Sequence, residues 1–205
     1  MRGLIGKKIG MTRVFDSRGK AIPVTVLEAG PCQVTQVKTV GKDGYDSVQV
    51  GFIEAKEKHL TKPLIGHFSK NSVSPKRILA EFNKVPSFDY KTGQIFNVGL
   101  FKEGDYVTVS GRSKGHGFSG TVKKYSFSQQ RKTHGQGDTH RHVGSIGAAS
   151  YPSRVFPGKK MPSRYGNKKV SVKSLEIIKV DKIKNQLLIK GSVPGSTNCI
   201  VMITR

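Results

Sequence analysis

Gly115-His116-Gly117-Phe118-Ser119-Gly120 has the spacing G-x-G-x-x-G. After a strand and before a helix, such glycines make a tight turn and bring a helix N-terminus to a pyrophosphate. The surroundings here oppose a dinucleotide. No second strand follows the helix expected over 121–127 to close a βαβ unit. Asp138, the only acid near the distance of a ribose ligand, lies in a polar Gly/His run. A kinase loop would need H-R-D and D-F-G downstream, where the chain has Thr139-His140-Arg141-His142. A P-loop would need Lys after Gly120, where Thr121 stands. What survives is local chemistry. Glycines let backbone N–H groups approach phosphate closely, and Lys114, Lys123 and Lys124 surround them, so RNA phosphate suits the segment equally well.

His134, Asp138, His140 and His142 form a second constellation. Two His and a carboxylate can hold zinc, and His140 and His142 would share one face of a strand. Arg131, Lys132 and Arg141 lie among them and oppose a metal cation. Contacts to phosphate or to a stacked base are expected instead. No metal, catalytic residue or cofactor is assigned. The third pattern is a run of cations: Arg112, Lys114, Lys123, Lys124, Arg131, Lys132, Arg141, Arg154, Lys159, Lys160, Arg164, Lys168 and Lys169. Tyr125, Phe127, Tyr151, Phe156 and Tyr165 are interleaved with it. Cations neutralise phosphates and aromatic rings stack on unpaired bases. A merely soluble charged face would mix both signs.

The elements that carry these residues follow from charge and periodicity. The 205 residues hold 36 Lys and Arg against 13 Asp and Glu, a net charge of +23. Such a surplus points to a polyanion partner and away from a small-metabolite enzyme. Residues 111–169 hold 13 of the basic residues, a single acid and 10 of the 24 glycines. Their apolar residues keep no period after Phe127, so the stretch reads as an excursion that orders against a partner. Hydrophobic residues make up 35% of the chain, enough for one modest core.

On either side the pattern is β-rich. Strands are expected at Ile22 to Leu27, Val34 to Val40, Tyr45 to Phe52, Arg77 to Lys84 and Tyr106 to Val109. They return at Val170 to Val180, Leu187 to Ile189 and Cys199 to Ile203. Gly41 to Gly44 marks a turn, and Lys62 to Lys70 a short helix with Pro63 in its first turn. Many short strands suggest a small barrel or sandwich. Met1 to Phe15 is a glycine-interrupted strand with basic outward positions, on its own an ordinary first strand. Cys32 and Cys199 read as reduced core thiols. No window approaches the ~18 apolar residues of a membrane helix. Met1 to Met11 has no apolar stretch behind its charges, so no secretory signal is expected.

Five pieces in order resemble one family. They are Gly3 to Phe15; Ser113 to Lys123; His134-Gly135 with Gly144-Ser145-Ile146-Gly147; Val155 to Met161 with Gly166-Asn167; and Leu187 to Gly195. Together they are similar to the universal L-three family of large-subunit ribosomal proteins in its bacterial form, over essentially the whole chain. The resemblance implies a closed β-barrel of translation-protein type and an extended loop reaching through rRNA toward the peptidyl-transferase centre. It implies a protein that binds 23S rRNA early and nucleates subunit assembly, and that is not an enzyme. It adds Lys7, Lys8, Arg13 and His116 to the RNA-binding residues, and puts Gly144, Ser145, Ile146, Gly147, Ser150 and Tyr151 at the loop tip. Two departures stand out. Lys124 occupies a position where the family commonly has Arg, which keeps the charge but loses a bidentate fork. Some bacterial members carry an N-methylated glutamine near the tip, where this chain has Ser150, so that modification is not carried over.

The expectation is therefore a mainly β protein: a closed small β-barrel with short helices and a long extended basic loop. The body would span 1–125 and 166–205, and the loop 126–165. The expected partners are 23S rRNA and neighbouring large-subunit proteins, in a cytoplasmic ribosome, bacterial or organellar. Neither a membrane nor a homo-oligomer is expected. Two alternatives belong to other classes: a nucleotide-dependent RNA-modifying enzyme using the 115–120 glycine loop, and a DNA-architectural protein.

Overall fold

The computed structural model describes residues 3–86 and 88–205. Met1 and Arg2, the head of the expected first strand, lie outside the described residues. The elements in chain order are β1 (Gly3–Phe15), β2 (Ala21–Ala29), β3 (Cys32–Lys38), α1 (Val40–Asp43), β4 (Ser47–Glu54), α2 (Lys62–Lys70), β5 (Lys76–Asn83) and β6 (Ile95–Phe96). β7 (Tyr106–Arg112), β8 (Gly115–Ser119), α3 (Thr121–Tyr125), β9 (Ser163–Gly166), β10 (Lys169–Asp181), β11 (Gln186–Lys190) and β12 (Ile200–Thr204) follow. They form two compact units: Met1–Ser113 with Lys169–Arg205, and Lys114–Lys168.

The first unit holds a closed barrel in the order β1-β12-β7-β10-β11-β2, and a four-stranded sheet in the order β5-β4-β3-β6. Alternation explains the barrel. Val107 and Val109, Leu187 and Ile189, and Val201 and Ile203 are buried, while the residues between them are not. Period-2 patterning sends one set inward on each strand. The root of β1 is different, because Gly3, Leu4, Ile5 and Gly6 are all buried. A Cβ at Gly3 would fall 2.6 Å from the Phe82 ring of β5, and one at Gly6 would fall 2.9 Å from the Glu28 carbonyl oxygen. Gly3 and Gly6 therefore let the sheet and β2 close onto β1. Every buried apolar side chain among the described residues belongs to this unit.

Several expectations change at this level. Val40 leaves the strand and opens α1, which Gly44 closes in the left-handed region at φ 81°. Cys32 is buried, and burial pushes its thiol up to about 11, so it stays protonated and inert. Cys199 is only half-buried and precedes β12, so it is not a core thiol. Lys8, expected outward and assigned to RNA, is buried. Its ammonium donates to the carbonyls of Val193 at 2.9 Å and Gly195 at 3.3 Å. It pins the β11–β12 connection, a partner far away in sequence that strand alternation does not reveal. Lys8→Met should lower stability by about 1–3 kcal/mol, since it leaves buried carbonyls unsatisfied. Urea unfolding should show that loss.

Candidate nucleic-acid interface

The second unit begins where β7 has ended and stops where β10 starts. Its sheet is the antiparallel pair β8–β9. Gly115 pairs with Gly166, Gly117 with Tyr165, Phe118 with Arg164 and Ser119 with Ser163, with a register shift between Gly115 and Gly117. His116 is the extra residue of that bulge, and its ring stacks on Tyr165 with centroids 4.9 Å apart and planes at 21°. Two glycines permit the crossing. Gly117 has φ 68°, and a Cβ at Gly166 would fall 2.0 Å from the Lys114 carbonyl oxygen. The G-x-G-x-x-G spacing thus serves a bulged ribbon. Among the described residues every strand pairing is antiparallel, so no βαβ phosphate loop forms. The helix expected to reach Phe127 stops at Tyr125, where Ser126 turns left-handed at φ 58°.

The rest of the unit is held by polar contacts. Lys124 donates its ammonium to the Ser163 hydroxyl, tying α3 to β9. The same ammonium lies 4.9 Å from the Tyr125 ring centroid, and that of Lys160 lies 5.8 Å from it. Hydrogen bonding from Lys124 draws the Tyr125 phenol below its ordinary value. Beyond Ser126, one 3-10 turn, Asp138–Arg141, is the only helical element among the described residues before β9. Gln136 donates to Gln130 at 2.7 Å and also to Thr139, while the Gln130 N–H donates to the His140 carbonyl at 3.1 Å. The Arg154 guanidinium sits 5.0 Å over Phe156.

Of the 55 residues from Lys114 to Lys168, only Ser119 and Thr121 are buried, and neither is apolar. The same span carries 11 Lys and Arg and one acid, Asp138. Lys114, His116, Lys123, Arg131, Lys132, His134, Arg141, His142, Arg154, Lys159, Lys160, Arg164 and Lys168 are exposed, and Lys124 and His140 half-buried. Gly144, Ser145, Ile146, Gly147, Ser150 and Tyr151 are exposed as well, with Ser145 donating to the Gly147 carbonyl. Among the described residues no three His, Cys, Asp or Glu side chains gather as a group that could hold a metal ion. Lys7, Arg13 and Arg112 belong to the other unit. Lys7 is half-buried, Arg112 is exposed at the end of β7, and Arg13 is exposed with its guanidinium 5.9 Å from the Phe15 ring centroid.

A unit with 11 cations to one acid and no buried apolar side chain cannot offset its ordering entropy by burying apolar surface, and what it presents is a set of exposed cations of the kind that can neutralise a polyanion. One residue escapes a reading of the sequence. Phe118 is 79% exposed in mid-strand. It hides as a variable position of the glycine motif. The readable signal is an aromatic set between two glycines, which leaves nothing along the strand to cover it.

Comparison with known proteins gives one consistent result. The model of the family described as ribosomal protein L3 matches residues 87–186. The large ribosomal subunit protein uL3 of Petrotoga mobilis is 48% identical over 203 residues, covering 99% of this chain and 94% of its own.

Proposed function

The chain belongs to the ribosomal protein L3 family, and from that premise we propose that it is a structural constituent of the large ribosomal subunit that binds 23S rRNA. The observation that carries this is the Lys114–Lys168 unit: 11 basic residues against one acid, with no buried apolar side chain. Its cations neutralise repulsion between packed RNA helices, and release of condensed counterions supplies much of the affinity. The glycines and small residues around Gly144 to Ser150 let the chain pass where a regular domain would not fit. In this reading the barrel is the anchor, early binding helps to nucleate subunit assembly, and residues 144–151 lie toward the peptidyl-transferase centre. Its place is the cytoplasmic ribosome, among other large-subunit proteins. Among the described residues no helix is long and apolar enough to cross a membrane. No catalytic step is assigned, because the glycine segment that suggested one is a strand of an antiparallel ribbon.

The chain should sediment with large subunits from a cell lysate and leave them only in high salt. Its affinity for rRNA should fall steeply with salt and exceed that for duplex DNA of equal charge. Lys159→Ala with Lys160→Ala should make the salt slope shallower, by about 0.7–0.9 for each phosphate left without its cation. Sedimentation away from subunits, or equal affinity for duplex DNA, would overturn the reading.

A further inference from the structure

We propose that Phe118 is a stacking platform for a single unpaired rRNA base, with Arg164 beside it holding that nucleotide's phosphate. The inference rests on the RNA-binding reading above and adds the residue and the state of the nucleotide it takes. Phe118 is 79% exposed on β8, so its ring stands clear of the ribbon with both faces open to a planar partner. Its direct cross-strand partner is a cation, Arg164, so the two share one face of the ribbon. Tyr165 follows Arg164 and points to the opposite face, where His116 already stacks on it. The ribbon therefore has its own ring pair on one side, and Phe118 is surplus to its folding.

The space around Phe118 is open. A Cβ at Gly120, two residues on from Phe118, would meet no atom within 4 Å. A flat ring can approach from that side without displacing a side chain. Charge selects the occupant. Between Asp105 and Glu176 the sole carboxylate is Asp138, whereas Lys114 and Arg164 lie on the ribbon or next to it. A neutral π surface framed by cations matches a base joined to a phosphate: the base stacks on the ring and the guanidinium meets the phosphate oxygens. Bases inside a duplex are already stacked on both sides, so the occupant is an unpaired, bulged or loop nucleotide.

The test uses large subunits assembled with the full chain carrying Phe118→Ala, Phe118→Leu or Phe118→Trp. Acylation of rRNA 2′-hydroxyls reports how freely each nucleotide moves. With the parent and with Phe118→Trp, one unpaired nucleotide should stay unreactive. With Phe118→Ala and Phe118→Leu its reactivity should rise at least about fivefold, in line with the loss of one base–aromatic stack. Thermal unfolding of the free variants should match the parent, since the side chain is exposed. Unchanged acylation in the alanine and leucine subunits overturns the proposal while leaving rRNA binding intact. Loss of a neighbouring protein without any change in the rRNA assigns the face to a protein and also overturns it. If the parent chain itself fails to bind rRNA, the underlying reading falls first, and that outcome is separately visible.

Discussion

Val109→Asp leaves no folded barrel, whereas Tyr151→Asp and Ile146→Asp leave the barrel intact and fail only at the ribosome. Val109 is fully buried on β7, opposite Val172 of β10 and Ile203 of β12. A carboxylate there loses its hydration without gaining a partner, at a cost of several kcal/mol against a total stability of about 5–15 kcal/mol. Tyr151 is 89% exposed and Ile146 is exposed too, in a unit without an apolar core. Their carboxylates stay hydrated in the free protein. Among packed rRNA phosphates they meet like charge in partly desolvated surroundings. Thermal unfolding of the three free variants, set beside their incorporation into subunits in cells, separates the effects. Melting lowered by the Tyr151 and Ile146 changes as much as by Val109→Asp would mean that the division of labour is wrong.

The strands with clean alternation are legible in the sequence because their inward faces are written locally. Val107 and Val109 on β7, and Leu187 and Ile189 on β11, need only period-2 patterning, and Pro63 marks α2 within the expected span. Barrel closure is not local. It depends on Leu4 facing Ile203, from opposite ends of the chain. Lys8 is misjudged for the same reason, since the carbonyls that accept from it belong to Val193 and Gly195. The ribbon is invisible because Gly115 to Ser119 pairs across a long insertion, so its glycines mimic a nucleotide loop. Charge, by contrast, needs no partner to be read. The basic stretch is plain from composition, and the residue composition does not reveal there is Phe118, whose meaning depends on what fails to cover it.

Replacing Ser113 through Lys168 by Asn-Gly should give a folded barrel that has lost most of its salt-sensitive rRNA affinity. Arg112 and Lys169 are direct register partners on adjacent antiparallel strands, as are Gly111 and Val170. A two-residue type I′ turn closes such a pair, and Asn-Gly is the sequence that adopts it most readily. No buried apolar side chain is removed, because the whole core lies in the retained unit. Two cations facing each other at the turn cost only a few tenths of a kcal/mol, so cooperative unfolding should persist with a midpoint within a few degrees of the parent. The binding change should be far larger. The deletion removes 11 basic residues and one acid, and each phosphate that is no longer neutralised takes about 0.7–0.9 from the slope of log affinity against log salt. A slope reduced by several units, with Lys7, Arg13 and Arg112 left to supply the remainder, is the expected result. Filter binding to an rRNA fragment across a salt series measures it, and circular dichroism of the same preparation reports the fold. A shortened chain that keeps the full slope would place the RNA-binding cations on the barrel. One that cannot fold would show that the basic unit contributes to stability in a way its buried residues do not reveal.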